Sequence, residues 1–311
     1  MTQTSSSWLI LLLLAPTTVV WSQTCATFVP IDVTGIGTDF TKLILEPNCP
    51  TETQKLPGQL HYHITTLAAV QDEMTLTGSD ADVVTPILTA RGLGIDLNDA
   101  WNGNGGVGVE LIMGAGQLQE LELYGVRDQV FVTDTAGGLR EVFDEGVDNV
   151  LTIITTRSGT LQYTHKGNGG ATVIDAPNAV LDIDINGADH DLRIVSCQGL
   201  EGVITGTGNE LLVAAGEITS LQVTGLNNNI NVHTDIPTEN GCANVVLEGL
   251  SNECTDNADS DITAAVVALD CVGPLDYTVE CSGAASMIRS AMVWWLAATT
   301  TAGLFLSNSI V

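Results

Sequence analysis

The chain has 311 residues, with 37 Asp and Glu against 9 Lys and Arg, a formal net charge of −28 at pH 7. Such a surface repels nucleic-acid phosphates and anionic lipid headgroups, and its natural counter-charge is a cation or a cationic partner. Abundant, regularly placed Val, Ile and Leu exclude a disordered chain.

The first element is the apolar run WLILLLLAPTTVV, Trp8 to Val20, followed by Trp21, Ser22 and Gln23. This is the layout of a secretory signal, residues 1–22, cleaved near Ser22, although MTQTSSS supplies no Lys or Arg. A short buried helix is the alternative. Residues 23–66 are expected to form an N-terminal cap that holds Cys25 and Cys49.

From residue 67 to 254 the chain repeats itself. LQELELYGVRDQVFVTD (118–134) and ITSLQVTGLNNNINVHTD (218–235) share one frame, as do LREVFDEGVDNVLTI (139–153), AVLDIDINGADHDLRIV (179–195), VITGTGNELLV (203–213) and NVVLEGLSNEC (244–254). An early copy, MTLTGSDADVV (74–84), keeps the glycine but not the Asn. One column then holds Gly78, Gly125, Gly146, Gly167, Gly187, Gly206, Gly225 and Gly249, the copy at Gly167 being imperfect. From Gly125 to Gly225 the steps are 21, 21, 20, 19 and 19 residues, which marks a repeat array.

Two residues before the glycine stand Leu76, Leu123, Ile185, Ile204, Val223 and Leu247; five after it stand Val83, Val130, Leu151, Leu192, Leu211 and Ile230. Alternation of period two predicts half-buried strands, and strands stacked about 4.8 Å apart turn each column into an aliphatic ladder. The glycine is expected to supply a positive φ at the corner. Three residues after it, Asp128, Asn149, His190, Asn209, Asn228 and Asn252 form a column suited to left-handed turns and to hydrogen bonds from rung to rung. The predicted fold is all-β: a single-stranded parallel β-helix (β-solenoid) of about eight turns, roughly 20 residues each, with disulfide-stapled end caps. A β-sandwich of antiparallel hairpins is the alternative, but it gives no reason to keep one residue type at one offset in every repeat.

Residues 255–282 form the expected C-terminal cap. The seven cysteines, Cys25, Cys49, Cys197, Cys242, Cys254, Cys271 and Cys281, are spaced too widely for a zinc site and read as disulfides of a secreted chain. The odd count leaves one over, and isolated Cys197 is the expected one. Ser282, Gly283 and Ala284, a short spacer and the apolar tail Ala291 to Val311 have the layout of a GPI-attachment signal, residues 283–311, with Ser282 as the lipidation site. A retained membrane anchor and a buried terminal helix are the alternatives. Without both terminal segments the balance is 8 basic against 37 acidic residues, 8 − 37 = −29.

The repeat apolar-x-apolar-x-Gly-x-x-Asn-x-apolar-x-apolar is best kept in Gly125–Val132, Gly187–Ile194 and Gly225–Val232. Over about residues 70 to 254 it resembles secreted and surface-anchored bacterial β-solenoid domains of unknown function. The resemblance implies a parallel β-helix and brings no catalytic residues.

Two groups of residues could carry chemistry. An outward position five before the glycine is acidic at Glu73, Glu120, Glu141, Asp182 and Glu201. Stacked carboxylates repel unless a cation lies between them, and Ca²⁺ favours several oxygen ligands; a row of separately hydrated side chains is the plainer reading. Asp182, Asp184 and His190 are the candidates for catalysis, because paired carboxylates serve glycoside hydrolysis. Against this, His190 has a full explanation as a turn residue, and a strongly negative enzyme repels an anionic polymer.

The expected function is a non-enzymatic acidic cell-surface or extracellular protein with a structural or adhesive role, dependent on Ca²⁺ if the acidic row binds it. Its expected ligand is an extracellular glycan or protein, with no nucleic acid and with membrane contact only through the C-terminal anchor. The alternatives are a carbohydrate-active β-helix enzyme of the lyase, epimerase or hydrolase type, and a cation- or mineral-binding surface protein.

Overall fold

In the computed structural model the period-two alternation becomes strands, with inward residues buried and their neighbours exposed. Residues 28–33, 36, 40–45, 60–68, 74–80, 82–97, 107–234 and 241–256 are described, all within the unit Thr27–Tyr277. The signal segment, the C-terminal tail, most of the expected C-terminal cap, Glu73, Ser282 and four of the cysteines lie outside them.

The repeat region is a series of strand pairs: β8 (Glu120–Leu123) and β9 (Gln129–Asp134), β10 (Glu141–Val147) and β11 (Val150–Thr155), β12 (Gly159–Asn168) and β13 (Ala171–Asp175), β14 (Ala179–Ala188) and β15 (Asp191–Ser196). It continues through β16 (Gly199–Thr207) and β17 (Glu210–Ala215), β18 (Ile218–Leu226) and β19 (Asn229–Thr234), and β20 (Val245–Leu250) and β21 (Glu253–Asp256). The even-numbered strands stack in parallel into one sheet and the odd-numbered strands into the other, making a parallel β-solenoid of about six turns and about 21 residues per turn.

The segment before Glu120 joins the same two sheets out of chain order. Its strands are β1 (Val29–Pro30), β2 (Lys42–Leu45), β3 (Leu60–Leu67), β4 (Met74–Gly78), β5 (Val84–Thr89), β6 (Gly92–Leu97) and β7 (Val107–Gly114). The coil β2–β3 lies between β8–β9 on one side and β6–β7 on the other, so the chain passes from β7 to β8 across a rung already laid down. The boundary expected at residue 66 therefore falls inside a rung. Gly78 does not belong to the glycine column either. β4 runs antiparallel between β1 and β7, and β5 runs antiparallel to β6. Antiparallel strands laid along this end of the sheets shield parallel rungs from further edge pairing.

Inside the solenoid, Leu121, Val142, Tyr163, Ile183 and Leu221 form one inward column of the even sheet. Val132, Ile153, Ile174, Ile194, Val213 and Val232 form one in the odd sheet. All are at most 2% exposed, so each coil completes the burial of its neighbours.

The glycine column exists mainly because of close approach. A Cβ on Gly167, Gly187, Gly206, Gly225 or Gly249 would overlap the carbonyl oxygen of the column glycine one rung earlier. The positive φ expected there is found at Gly206, Gly225 and Gly249 but not at Gly146 or Gly187. The left-handed residue of the corner is instead the one before the ladder position: Arg127 (φ 59°), Asp148 (57°), Asp189 (56°), Asn227 (54°) and Ser251 (57°).

The ladder residues themselves bridge rungs. Asn209 Nδ2 donates to Asn228 Oδ1 at 3.0 Å, and Asn228 Nδ2 to Asn252 Oδ1 at 3.0 Å. The same two oxygens accept the backbone N–H of Asn209 and Asn228. Each amide thus satisfies groups that would otherwise be buried without a partner. Cys242 and Cys254 form a disulfide that closes the last described coil. Cys197, expected to be the unpaired thiol, is disulfide-bonded, and its partner lies outside the described residues.

Candidate functional site

Among the described residues, Glu120, Glu141, Asp182 and Glu201 of the acidic row stand in the register that the repeat alignment gives them, while Glu73 lies outside the described residues. Strand register aligns Lys42, Glu120, Glu141, Gln162, Asp182, Glu201 and Ser220 in one outward column of the even sheet. Its first carboxylate already has cationic neighbours. Glu120 takes Lys42 Nζ at 2.8 Å and Arg140 at 2.7 Å, while Glu122 takes Lys42 at 2.9 Å and Arg91 at 2.5 Å. Hydrogen bonds from Lys42 and Arg140 hold the Glu120 carboxyl below its ordinary value. Burial works against the Lys42 charge, but Glu120 and Glu122 outweigh it and raise its pKa. Pairs this close to solvent contribute about 0–1 kcal/mol each, so their role is to set local charge more than to hold the fold.

Further along the column, Gln162 Nε2 donates to Asp182 at 3.1 Å, and Asp182 lies beside exposed Glu201. These two are neighbouring carboxylates with no basic residue between them in the column. Among the described residues no group of three or more His, Cys, Asp or Glu side chains is placed to hold a metal ion.

The three catalytic candidates are not brought together. Asp182 and Asp184 alternate with inward Ile183 and Ile185, and so project from the outer face of β14. His190, 2% exposed, sits at the β14–β15 corner with its ring turned into the core. The sheet separates it from both carboxylates.

The ring of His190 belongs to a polar cluster inside the solenoid. The inward column two before the glycine runs Leu123, Asp144, His165, Ile185, Ile204, Val223, so two rungs replace aliphatic side chains with a carboxylate and an imidazole. Asp144 and His165 are 0% and 1% exposed. His165 Nδ1 lies 2.9 Å from Asp144 Oδ2, and Asn149 Nδ2 donates to Asp144 Oδ1 at 2.9 Å. Gly170, which carries no side chain, occupies the ladder position in the intervening rung. The next ladder residue, His190, lies against His165 with ring centroids 3.9 Å apart and planes at 16°.

Partners fix the tautomer of His190. Its Nδ1 lies 3.1 Å from the Gly169 carbonyl, which can only accept, so Nδ1 carries the proton. Nε2 then accepts from the Tyr163 hydroxyl at 3.2 Å, and that hydroxyl accepts from Thr172 Oγ1 at 2.8 Å. Every contact is met by a neutral ring. Burial, with His165 alongside, pushes the His190 pKa down to about 4. Burial, with the Asp144 charge nearby, pushes the Tyr163 phenol well above its usual value. His165 Nε2 is buried without a hydrogen-bond partner.

No protein-family model matches this chain, and a search of curated proteins finds no match.

Proposed function

We propose that this chain is a non-enzymatic, acidic structural or adhesive protein of the cell surface or extracellular space. The observation that carries this reading is the division of its ionisable groups. The acidic column lies on the outer face of a parallel sheet, whereas His190 and its neighbours are sealed behind that sheet, away from Asp182 and Asp184. Carboxylates on one side and imidazoles on the other cannot share a substrate. The resemblance to secreted and surface-anchored bacterial solenoid domains is compatible with this role.

In this reading residues 1–22 are removed, Ser282 receives a GPI anchor, and the solenoid presents its acidic column to an extracellular glycan or protein. Ca²⁺ between Asp182 and Glu201 would relieve their repulsion, in line with a cation-dependent role.

The test is expression of the full chain in a eukaryotic cell. The mature protein is expected to begin near Gln23 and to leave the membrane on treatment with a phosphatidylinositol-specific phospholipase. The released protein is expected to melt higher in Ca²⁺ than in NaCl of equal ionic strength. Retention after the phospholipase, with the 291–311 peptide present in digests, would exclude the anchor. Equal melting in the two salts would exclude the Ca²⁺ role.

A further inference from the structure

We propose that the middle of the solenoid carries an acid-sensitive latch, in which protonation of His190 expels its ring from the core and frees the corners of the β12–β13 and β14–β15 coils.

The latch follows from what surrounds the ring. From β10 it faces Asp144; from β12, Tyr163 and His165; its neighbour on β15 is Asp191. Asp144 makes its contact with His165, through Nδ1, and its other oxygen is taken by Asn149. The remaining contacts of His190, to the Gly169 carbonyl and the Tyr163 hydroxyl, are met by a neutral ring. A proton on Nε2 would force the Tyr163 hydroxyl to turn its own proton toward Thr172, and the charged ring would lie face to face with the His165 ring at 3.9 Å in the buried core.

The outside offers the opposite environment. The corner beside the ring, Gly169–Gly170, carries no side chain. Asp148, Asp189 and Asp191 stand around it, partly or fully exposed. Asp148 already takes Arg127 and Asp191 takes Arg193, and these carboxylates with Asp189 are the acceptors an expelled imidazolium would meet. Its departure breaks the Nδ1 bond to Gly169, the Nε2 contact with Tyr163 and the stack on His165, all of which tie His190 to the preceding rung. The bond from the His190 N–H to Asn209 on the following rung does not involve the ring.

The sign is determined by neutral burial. A ring whose pKa is lower in the fold than in the open state supports the fold fully above the ordinary value of 6.5 and loses that support as pH falls toward about 4. The shift corresponds to an increase in the local opening constant of about 10²-fold between pH 7 and pH 4.5.

The test is hydrogen exchange on the full chain at pH 7 and pH 4.5, corrected for the pH dependence of chemical exchange. Amides of residues 162–170 and 183–195 are expected to lose about 10²-fold in protection, while 210–213 and 229–232 lose far less. In His190→Asn, which places the common ladder residue there, the local loss should vanish. Acid loosening spread evenly over all these rungs in the wild type would overturn the proposal, and so would an unchanged local loss in His190→Asn. If that variant does not fold, the contrast between rungs in the wild type decides alone.

Discussion

Gly225→Val is expected to destabilise the protein by about 3–5 kcal/mol, as a lower urea midpoint. Gly225 has φ 136°, where a branched side chain is strained, but the larger cost is steric. Its Cβ would overlap the carbonyl oxygen of Gly206, a backbone atom that cannot swing away as a side-chain tip can. Moving the strand does not relieve the overlap. The Gly225 carbonyl stands in the same relation to Gly249, so a displacement passes along the stack. Gly116→Ala is the control: φ is 83° but no atom lies within 4 Å of the added Cβ, and backbone strain alone costs about 1 kcal/mol. Equal losses at the two sites would show that stacking contact is not what demands glycine.

Asp144→Leu is expected to cost about 3 kcal/mol, because it leaves the Asn149 amide and the His165 Nδ1 buried without their shared acceptor. His165→Ile alone leaves the buried Asp144 carboxylate with Asn149 and without its imidazole partner, and should cost about as much. Together the two changes rebuild the column that Leu123 begins and Ile185 continues. The double variant should therefore be more stable than Asp144→Leu, with a coupling of about 2 kcal/mol in its favour. Losses that simply add would mean that the pair is not coupled. If the double variant also shows a weaker acid response at residues 183–195, the second imidazole is acting on His190 as the latch requires.

Much of this architecture was legible because stacking imposes one residue type on one offset. The columns of Gly125 to Gly249, of Val130 to Ile230 and of Asn209 to Asn252 each correspond to a rung-to-rung contact in the structure. The acidic row was aligned for the same reason, and Glu120 does face Glu141, as Asp182 faces Glu201.

What was hidden had no repeated contact behind it. β2 and β3 contain good alternation, KLIL and LHYHITTL, but no Gly-x-x-Asn corner joins them, and their place between later strands is set by long-range packing. MTLTG has the look of a rung, yet direction cannot be read from alternation, and β4 runs the opposite way. The inner cluster did leave a signal. Asp144, His165, Thr172 and Gly170 are the places where the aliphatic and ladder columns fail, and the copy at Gly167 is imperfect because it helps to build that cluster. A column read only for its regular members passes over its exceptions. The pairing of Cys197 left no mark at all, since spacing does not encode disulfide connectivity.

The division between a sealed inner cluster and an outer acidic face is tested most directly by following the imidazole ¹³C–¹H signal of His190 in the full-length protein between pH 8 and pH 3, assigned by its loss in His190→Asn. A buried neutral ring predicts a signal unchanged through pH 6.5 and a midpoint near 4. A midpoint near 6.5 would place the ring in water, and would contradict both the non-catalytic reading of this face and the latch.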